Sequence, residues 1–295
     1  MTETTPAPTR LPLLLDRVTK RYGQHTAVDD LDITVGAGER VAVLGRNGAG
    51  KSTLLRLALG LSRPTSGHCY LFERPPGDHR ARRRVGYVPQ ASAAPDRLRV
   101  REIIRFVRDC KGAAEPVELI ERLDLGPLTN SLVGGLSLGQ HRRLTLLLAF
   151  LGEPELLVLD EPTVSLDGQS RLAVWDLVNE YCAAGGTLLL ASHDFREVSA
   201  LTERVLVLVG GRLRADSEVT QLARTTGVTA LEVPRTTDLP LTDVSFVSHQ
   251  ADRTVLITRT PESVVRRLTT VVDGPVVQRR PTVEEVCLAL GGGSR

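Results

Sequence analysis

The chain has 295 residues, 41% of them apolar and 24% charged, with a formal net charge of +2 at pH 7. That length holds one large domain with room for a small second one, in a composition ordinary for a globular protein. The near-neutral balance excludes the strong basic field of a nucleic-acid or anionic-membrane binder. Four widely spaced cysteines (Cys69, Cys110, Cys182 and Cys287) form no CxxC or Cys/His cluster. They are expected to be structural thiols of a reducing compartment. Basic residues are nearly all arginine, which leaves Lys20, Lys51 and Lys111 as the lysines to place.

The opening "MTETTPAPTRLP" lacks the basic-then-apolar plan of a secretory leader, so a disordered lead is expected over residues 1–10. "LPLLLDRVTKRYG", "LDITVGAGE" and "RVAVLG" follow as short apolar runs between turn residues and predict three strands. "STLLRLALGL" has helical spacing. Four later apolar runs, Val85 to Val88, Leu156 to Leu159, Thr187 to Ala191 and Val205 to Val209, predict buried strands separated mostly by helices. That alternation predicts an α/β fold with a parallel-core sheet. Residues 91–152 predict a helical subdomain. Its densest apolar stretch, "LTLLLAFLG", is well short of the roughly 18 to 20 residues that cross a bilayer. Any membrane part of the function is therefore expected on another chain.

Composition shifts after "GGRLRADSEV". The tail, residues 219–295, predicts a hairpin, a helix, a strand and a closing helix "TVEEVCLAL", a small α+β accessory domain standing apart from the catalytic machinery. "HRARRR" (His79 to Arg84) has no interleaved aromatics and is expected to be a solvated basic face, with no nucleic acid as partner.

"GRNGAGKST", Gly45 to Thr53, fits G-x-x-x-x-G-K-[ST] with an apolar strand before it and a helix after it. Glycines let backbone N–H groups curl around phosphate oxygens, and a helix N-terminus adds its positive end. Lys51 can reach the β- and γ-phosphates, Ser52 can ligate Mg²⁺ and Thr53 can bond the α-phosphate. "LLVLDEP" ends a strand in Asp160 and Glu161, at the sheet edge where ligands bind in such folds. Asp160 would hold Mg²⁺ through water and Glu161 would act as general base on the attacking water.

With these two segments in place, residues from about 11 to 218 resemble the nucleotide-binding subunit of an ABC transporter, a P-loop NTPase with an antiparallel β subdomain and a helical subdomain. The resemblance implies ATP and Mg²⁺ as cofactors and contacts from Gly45, Asn47, Gly48, Ala49, Gly50, Lys51, Ser52 and Thr53. It identifies "LSLGQ" (Leu136 to Gln140) as the signature motif. It thus implies a head-to-tail dimer with two ATPs, each gripped by Ser137, Gly139 and Gln140 of the opposite subunit. Leu138 departs from the family's usual glycine. The resemblance further implies Gln90 as a metal- and water-contacting residue, Asp167 in the loop crossing the dimer interface, His193 as the γ-phosphate switch, and Tyr22 stacked on adenine. "RRPTVEEVCLAL" resembles the ending of ATPase subunits of ABC-2-type exporters. The expectation is a peripheral ATPase on the cytoplasmic face of the membrane, energising a separate permease. Importer ATPases and permease-free ABC ATPases are the alternatives. A P-loop kinase would lack the signature, Asp167 and His193 in this order.

Overall fold

The computed structural model describes residues 11–91, 95–236, 239 and 241–291. The lead expected over residues 1–10 lies outside them. Two long strands open the chain, β1 (Leu13–Tyr22) and β2 (His25–Val35), followed by β3 (Arg40–Leu44) and helix α1 (Lys51–Ala58). β4 (Ser66–Leu71) pairs antiparallel with β1, so β2-β1-β4 forms a three-stranded sheet. The sequence reading did not anticipate β4. Only Cys69 and Leu71 of its six residues are buried, which leaves too short an alternation to read.

The chain then passes through α2 (His79–Arg83), β5 (Val85–Val88), α3 (Val100–Lys111), α4 (Val117–Arg122) and α5 (Leu138–Phe150). Asp78 caps α2, accepting hydrogen bonds from the Arg80 and Ala81 N–H groups, and Ala81 is the helix's only buried residue. The basic run is thus a solvated helix face. The helical subdomain comprises α3, α4 and the start of α5, with Val100, Ile103, Ile104, Leu144 and Leu147 in its core.

Next come β6 (Leu156–Asp160), α6 (Gly168–Ala183), β7 (Thr187–Ala191), α7 (Phe195–Leu201), β8 (Arg204–Val209) and β9 (Arg212–Glu218). The main sheet has the order β5-β6-β7-β3-β8-β9, parallel from β5 to β8 with β9 antiparallel at its edge. Every residue of β6 and β7 is buried, because helices or the small sheet cover both faces of a parallel core. The C-terminal ends of β3, β6 and β7 meet at one sheet edge, placing Gly45, Glu161 and Ser192 near one another in the fold.

The tail contains α8 (Leu222–Thr226), β10 (Thr229–Pro234), β11 (Val244–His249), β12 (Arg253–Thr258), α9 (Pro261–Val271), β13 (Val277–Arg279) and α10 (Val283–Leu290). Its sheet is antiparallel throughout, in the order β11-β12-β10-β13. The predicted hairpin, helix, strand and closing helix are all present; α8 and β10 are additional. One face of the tail has a small core of its own around Leu231, Leu256, Val264 and Leu268. The other does not stand apart. Ala230, Val255, Ile257, Val286 and Cys287 belong to the same buried cluster as Leu44, Val205 and Val207 of the main sheet. The tail is folded onto the ATPase body: α10 packs on β11, β12 and α8 of the tail, and its Val286 and Cys287 also join the main-sheet cluster.

Candidate active site

β3 delivers the chain into the phosphate loop at Gly45. A Cβ there would lie 2.5 Å from the Leu208 carbonyl oxygen, and one at Gly50 would lie 2.3 Å from that of Ala27. Gly50 also has φ +105°, a conformation that side chains disfavour. These two glycines are required by close backbone approach. α1 starts at Lys51 with no side-chain cap, so its first-turn N–H groups have no side-chain acceptor and are available to an anion. Lys51 Nζ donates to the Gly45 carbonyl at 2.8 Å. Burial lowers its pKa below the ordinary lysine value, while Glu161 and Asp160 pull it back up.

A cavity of about 320 Å³ opens above the loop. It is lined by Tyr22, His25, Ala27, Asn47, Gly48, Ala49, Gly50, Lys51, Ser52, Thr53, Gln90 and Glu161. Most of the residues expected around a nucleotide therefore converge. Tyr22 is 48% exposed at the cavity's rim, with Lys20 Nζ 4.9 Å from its ring centroid. His25 is a lining residue that sequence reasoning missed. It lies in an antiparallel pair with Tyr22, and no motif marks it.

Asp160 ends β6 with one oxygen, Oδ1, buried and without a hydrogen-bond partner. Burial raises its pKa, a Ser52 hydroxyl hydrogen bond lowers it, and neighbouring Glu161 raises it again. Glu161 sits at φ +54° with its carboxylate buried, and its Oε2 lies 2.6 Å from His193 Nδ1. That contact brings together two residues 32 positions apart.

Two further residues hold this arrangement and carried no readable sequence signal. Arg142 of α5 is buried and donates to the Pro89 and Gln90 carbonyls at 2.6 and 2.9 Å, fixing the backbone at Gln90. Glu197 of α7 is 1% exposed and accepts from the Ser192 hydroxyl at 2.6 Å, the Thr163 hydroxyl at 2.8 Å and Trp175 Nε1 at 3.4 Å. It ties the turn after Glu161 to the strand end before His193. Burial raises its pKa, and these three donors oppose the shift.

The signature segment does not line this cavity. Ser137 is the N-cap of α5 and forms a capping box with Gln140: the Gln140 N–H donates to Ser137 Oγ at 3.2 Å and the Ser137 N–H to Gln140 Oε1 at 2.9 Å. Leu138 is 78% exposed. Gly139 has a tight neighbour: a Cβ there would lie 3.0 Å from the Ser165 carbonyl oxygen. Asp167, two residues on, caps α6 by accepting from the Ser170 N–H at 2.8 Å. The signature and the Ser165–Asp167 loop are thus adjacent, and neither lines the chain's own nucleotide cavity.

A family model described as "ABC transporter" matches residues 28–164. The daunorubicin resistance ATP-binding protein DrrA3 of Streptomyces coeruleorubidus is 33% identical, with 96% of each chain covered. The Nod factor export ATP-binding protein I of Cupriavidus pinatubonensis is 38% identical over 72% of this chain and 70% of its own. Among solved structures, an ATP-binding subunit of an ABC transporter matches with TM-score 0.69 and 27% identity, covering 73% of this chain and 93% of its own. A dimeric bacterial ABC transporter cassette matches with TM-score 0.63 and 25% identity, covering 70% and 98%. The fold, the phosphate loop and these likenesses agree: the chain belongs to the ATP-binding, ATP-hydrolysing subunits of ABC transporters.

Proposed function

We propose that this chain powers export through a separate membrane permease, working as a dimer with two composite ATP sites. The observation that carries the reading is the similarity to a daunorubicin resistance ATP-binding protein along 96% of both chains, tail included. Among the described residues no helix is long and apolar enough to cross a membrane, which suits an ATPase held at the cytoplasmic face by its permease.

The residues of the cavity divide the chemistry. Tyr22 offers a face for the adenine ring. The phosphate loop from Gly45 to Gly50, with Lys51 and Thr53, takes the phosphates. The partnerless Asp160 oxygen beside the Ser52 hydroxyl fits a small hard cation, which keeps most of its waters and needs few protein ligands. Ser52, Asp160 and Gln90 would hold Mg²⁺, which when bound neutralises charge on the β- and γ-phosphates. Glu161 takes the proton of the attacking water, and His193, hydrogen-bonded to it, fixes the carboxylate's orientation and reaches the γ-phosphate. Ser137, Gly139 and Gln140, which do not line this chain's own cavity, complete the partner's site, and Asp167 lies at the dimer seam.

The test is co-expression with a polytopic membrane protein of the ABC-2 permease class from the same source. The reading expects the two to co-purify, and expects ATP turnover to change on reconstitution of the complex in lipid. A chain that purifies alone, with turnover indifferent to that membrane protein, would refute the export reading while leaving ATP hydrolysis intact.

A further inference from the structure

The phosphate loop has a second face. Beside the nucleotide cavity, a second one of about 500 Å³ is bounded by Arg46, Asn47, Gly48 and Ala49, by His193 and Phe195, and by Cys287, Leu288 and Gly291 at the end of α10. Asn47, Gly48 and Ala49 therefore wall both the nucleotide cavity and this one. Gly291 lies against the Arg46 side chain: a Cβ on it would be 3.7 Å from Arg46 Cδ.

The other end of α10 is clamped. Arg279 donates from both terminal nitrogens to the Glu285 carboxylate, at 2.8 and 2.6 Å, and from Nε to Glu232 at 2.5 Å. Glu285 is 8% exposed and also receives the Thr282 N–H in a capping box. Between the ends, Val286 and Cys287 are buried in the cluster that includes Leu44 and Val207. The helix is thus a short strut, fixed to the tail sheet at its start and meeting the phosphate loop at its finish only where Gly291 reaches the Arg46 side chain.

We propose that α10 braces the phosphate loop from the side of this second cavity, with Arg279 and Glu285 as positioning residues, so that nucleotide binding and tail docking are thermodynamically linked. The loop can fill with phosphate only in conformations that α10 either supports or resists. A loop held in the competent conformation binds more tightly by the reciprocal of the fraction of time it would otherwise spend there. Linkage is reciprocal: the factor by which docking tightens MgATP is the factor by which MgATP tightens docking. The inference rests on nucleotide binding at this loop and is independent of the proposed export.

Cys287 reports docking without any substitution. It is buried, and burial followed by the nearby Glu284 charge pushes its thiol pKa up to about 12, so it alkylates slowly while α10 is docked. Cys110 is exposed and gives an internal reference. MgATP binding to the unmodified chain is measured first; its failure overturns the nucleotide-site assignment and the linkage with it, whereas binding with no change at Cys287 overturns the linkage alone. With binding established, N-ethylmaleimide labelling is followed by peptide mass spectrometry. The expected result is that saturating MgATP slows Cys287 about fivefold or more, at the low end of usual coupling, while Cys110 is unchanged. Arg279→Met should weaken MgATP by a similar factor, leave turnover at saturating ATP within about twofold, and abolish the protection of Cys287. Arg279→Lys should restore part of both. An equal Cys287 rate with and without MgATP overturns the proposal, and does so even if Arg279→Met fails to fold. Parental MgATP affinity in a folded Arg279→Met overturns the role of the clamp.

Discussion

Glu161→Gln keeps the volume of the side chain and removes the base. In the structure the carboxylate is 5% exposed and its Oε2 is 2.6 Å from His193 Nδ1, so the carboxamide must occupy the same space with one acceptor exchanged for a donor. Loss of a positioned general base costs about 10²- to 10⁴-fold, which is about 2.7 to 5.4 kcal/mol on the barrier at 1.36 kcal/mol per tenfold. The change to the ground state is smaller. A charge-assisted hydrogen bond becomes a neutral one, worth about 1 to 2 kcal/mol of folding stability at most. MgATP binding should survive, since Lys51 and the loop are untouched. The assay is phosphate release at saturating MgATP beside an equilibrium titration with a fluorescent ATP analogue. We expect turnover to fall at least ~100-fold with affinity within a few-fold of the parent. Turnover within about threefold of the parent would refute the assignment of Glu161 as base.

Other perturbations separate the parts of the site. Lys51→Ala removes a charge-assisted phosphate contact and should weaken nucleotide binding itself, seen in the same titration. Ser137→Arg should abolish ATPase activity while the monomer still binds MgATP. Leu138→Gly should stay within a few-fold of parental activity, because Leu138 is exposed and its replacement costs about 1 kcal/mol of helix propensity at most. At Glu285 burial raises the pKa, but the Arg279 and Thr282 hydrogen bonds outweigh it and leave the carboxyl below its ordinary value. A depressed carboxyl stabilises the fold above its unfolded pKa and loses that contribution as pH falls through its folded one. Glu285→Gln should therefore lower the denaturation midpoint at pH 7 and converge on the parent toward pH 3; an equal deficit at both pH values would contradict the clamp.

Much of this was legible because the motifs sit at strand ends. A run such as "LLVLDEP" announces a fully buried strand and the carboxylates at its C-terminal edge together, and "GRNGAGKST" announces a strand, a loop and a helix start. Ser137 and Gln140 were singled out only through the signature motif, and the structure adds that they pair as a capping box. What escaped depends on tertiary approach. His25 reaches the cavity through its cross-strand pairing with Tyr22, which no local pattern encodes. Glu197 has ordinary helical spacing, and only the convergence of Ser192, Thr163 and Trp175 makes it a fastener. The tail's hairpin, later helices and last strand were visible in its periodicities, but α8, β10 and the docking were not. Val286 and Cys287 read equally well as the core of a free-standing unit and as a face laid on the main sheet.

The central claim is that each signature segment serves the other subunit's phosphate loop, and a mixed dimer tests it most directly. One chain carries Ser137→Arg and the other Lys51→Ala, purified through two different tags and supplied with MgATP. In the trans arrangement one composite site holds both lesions and the other holds neither, so the heterodimer should retain one tightly held ATP. If each signature served its own loop, every site would carry one lesion, and a heterodimer that retains no ATP would contradict the account.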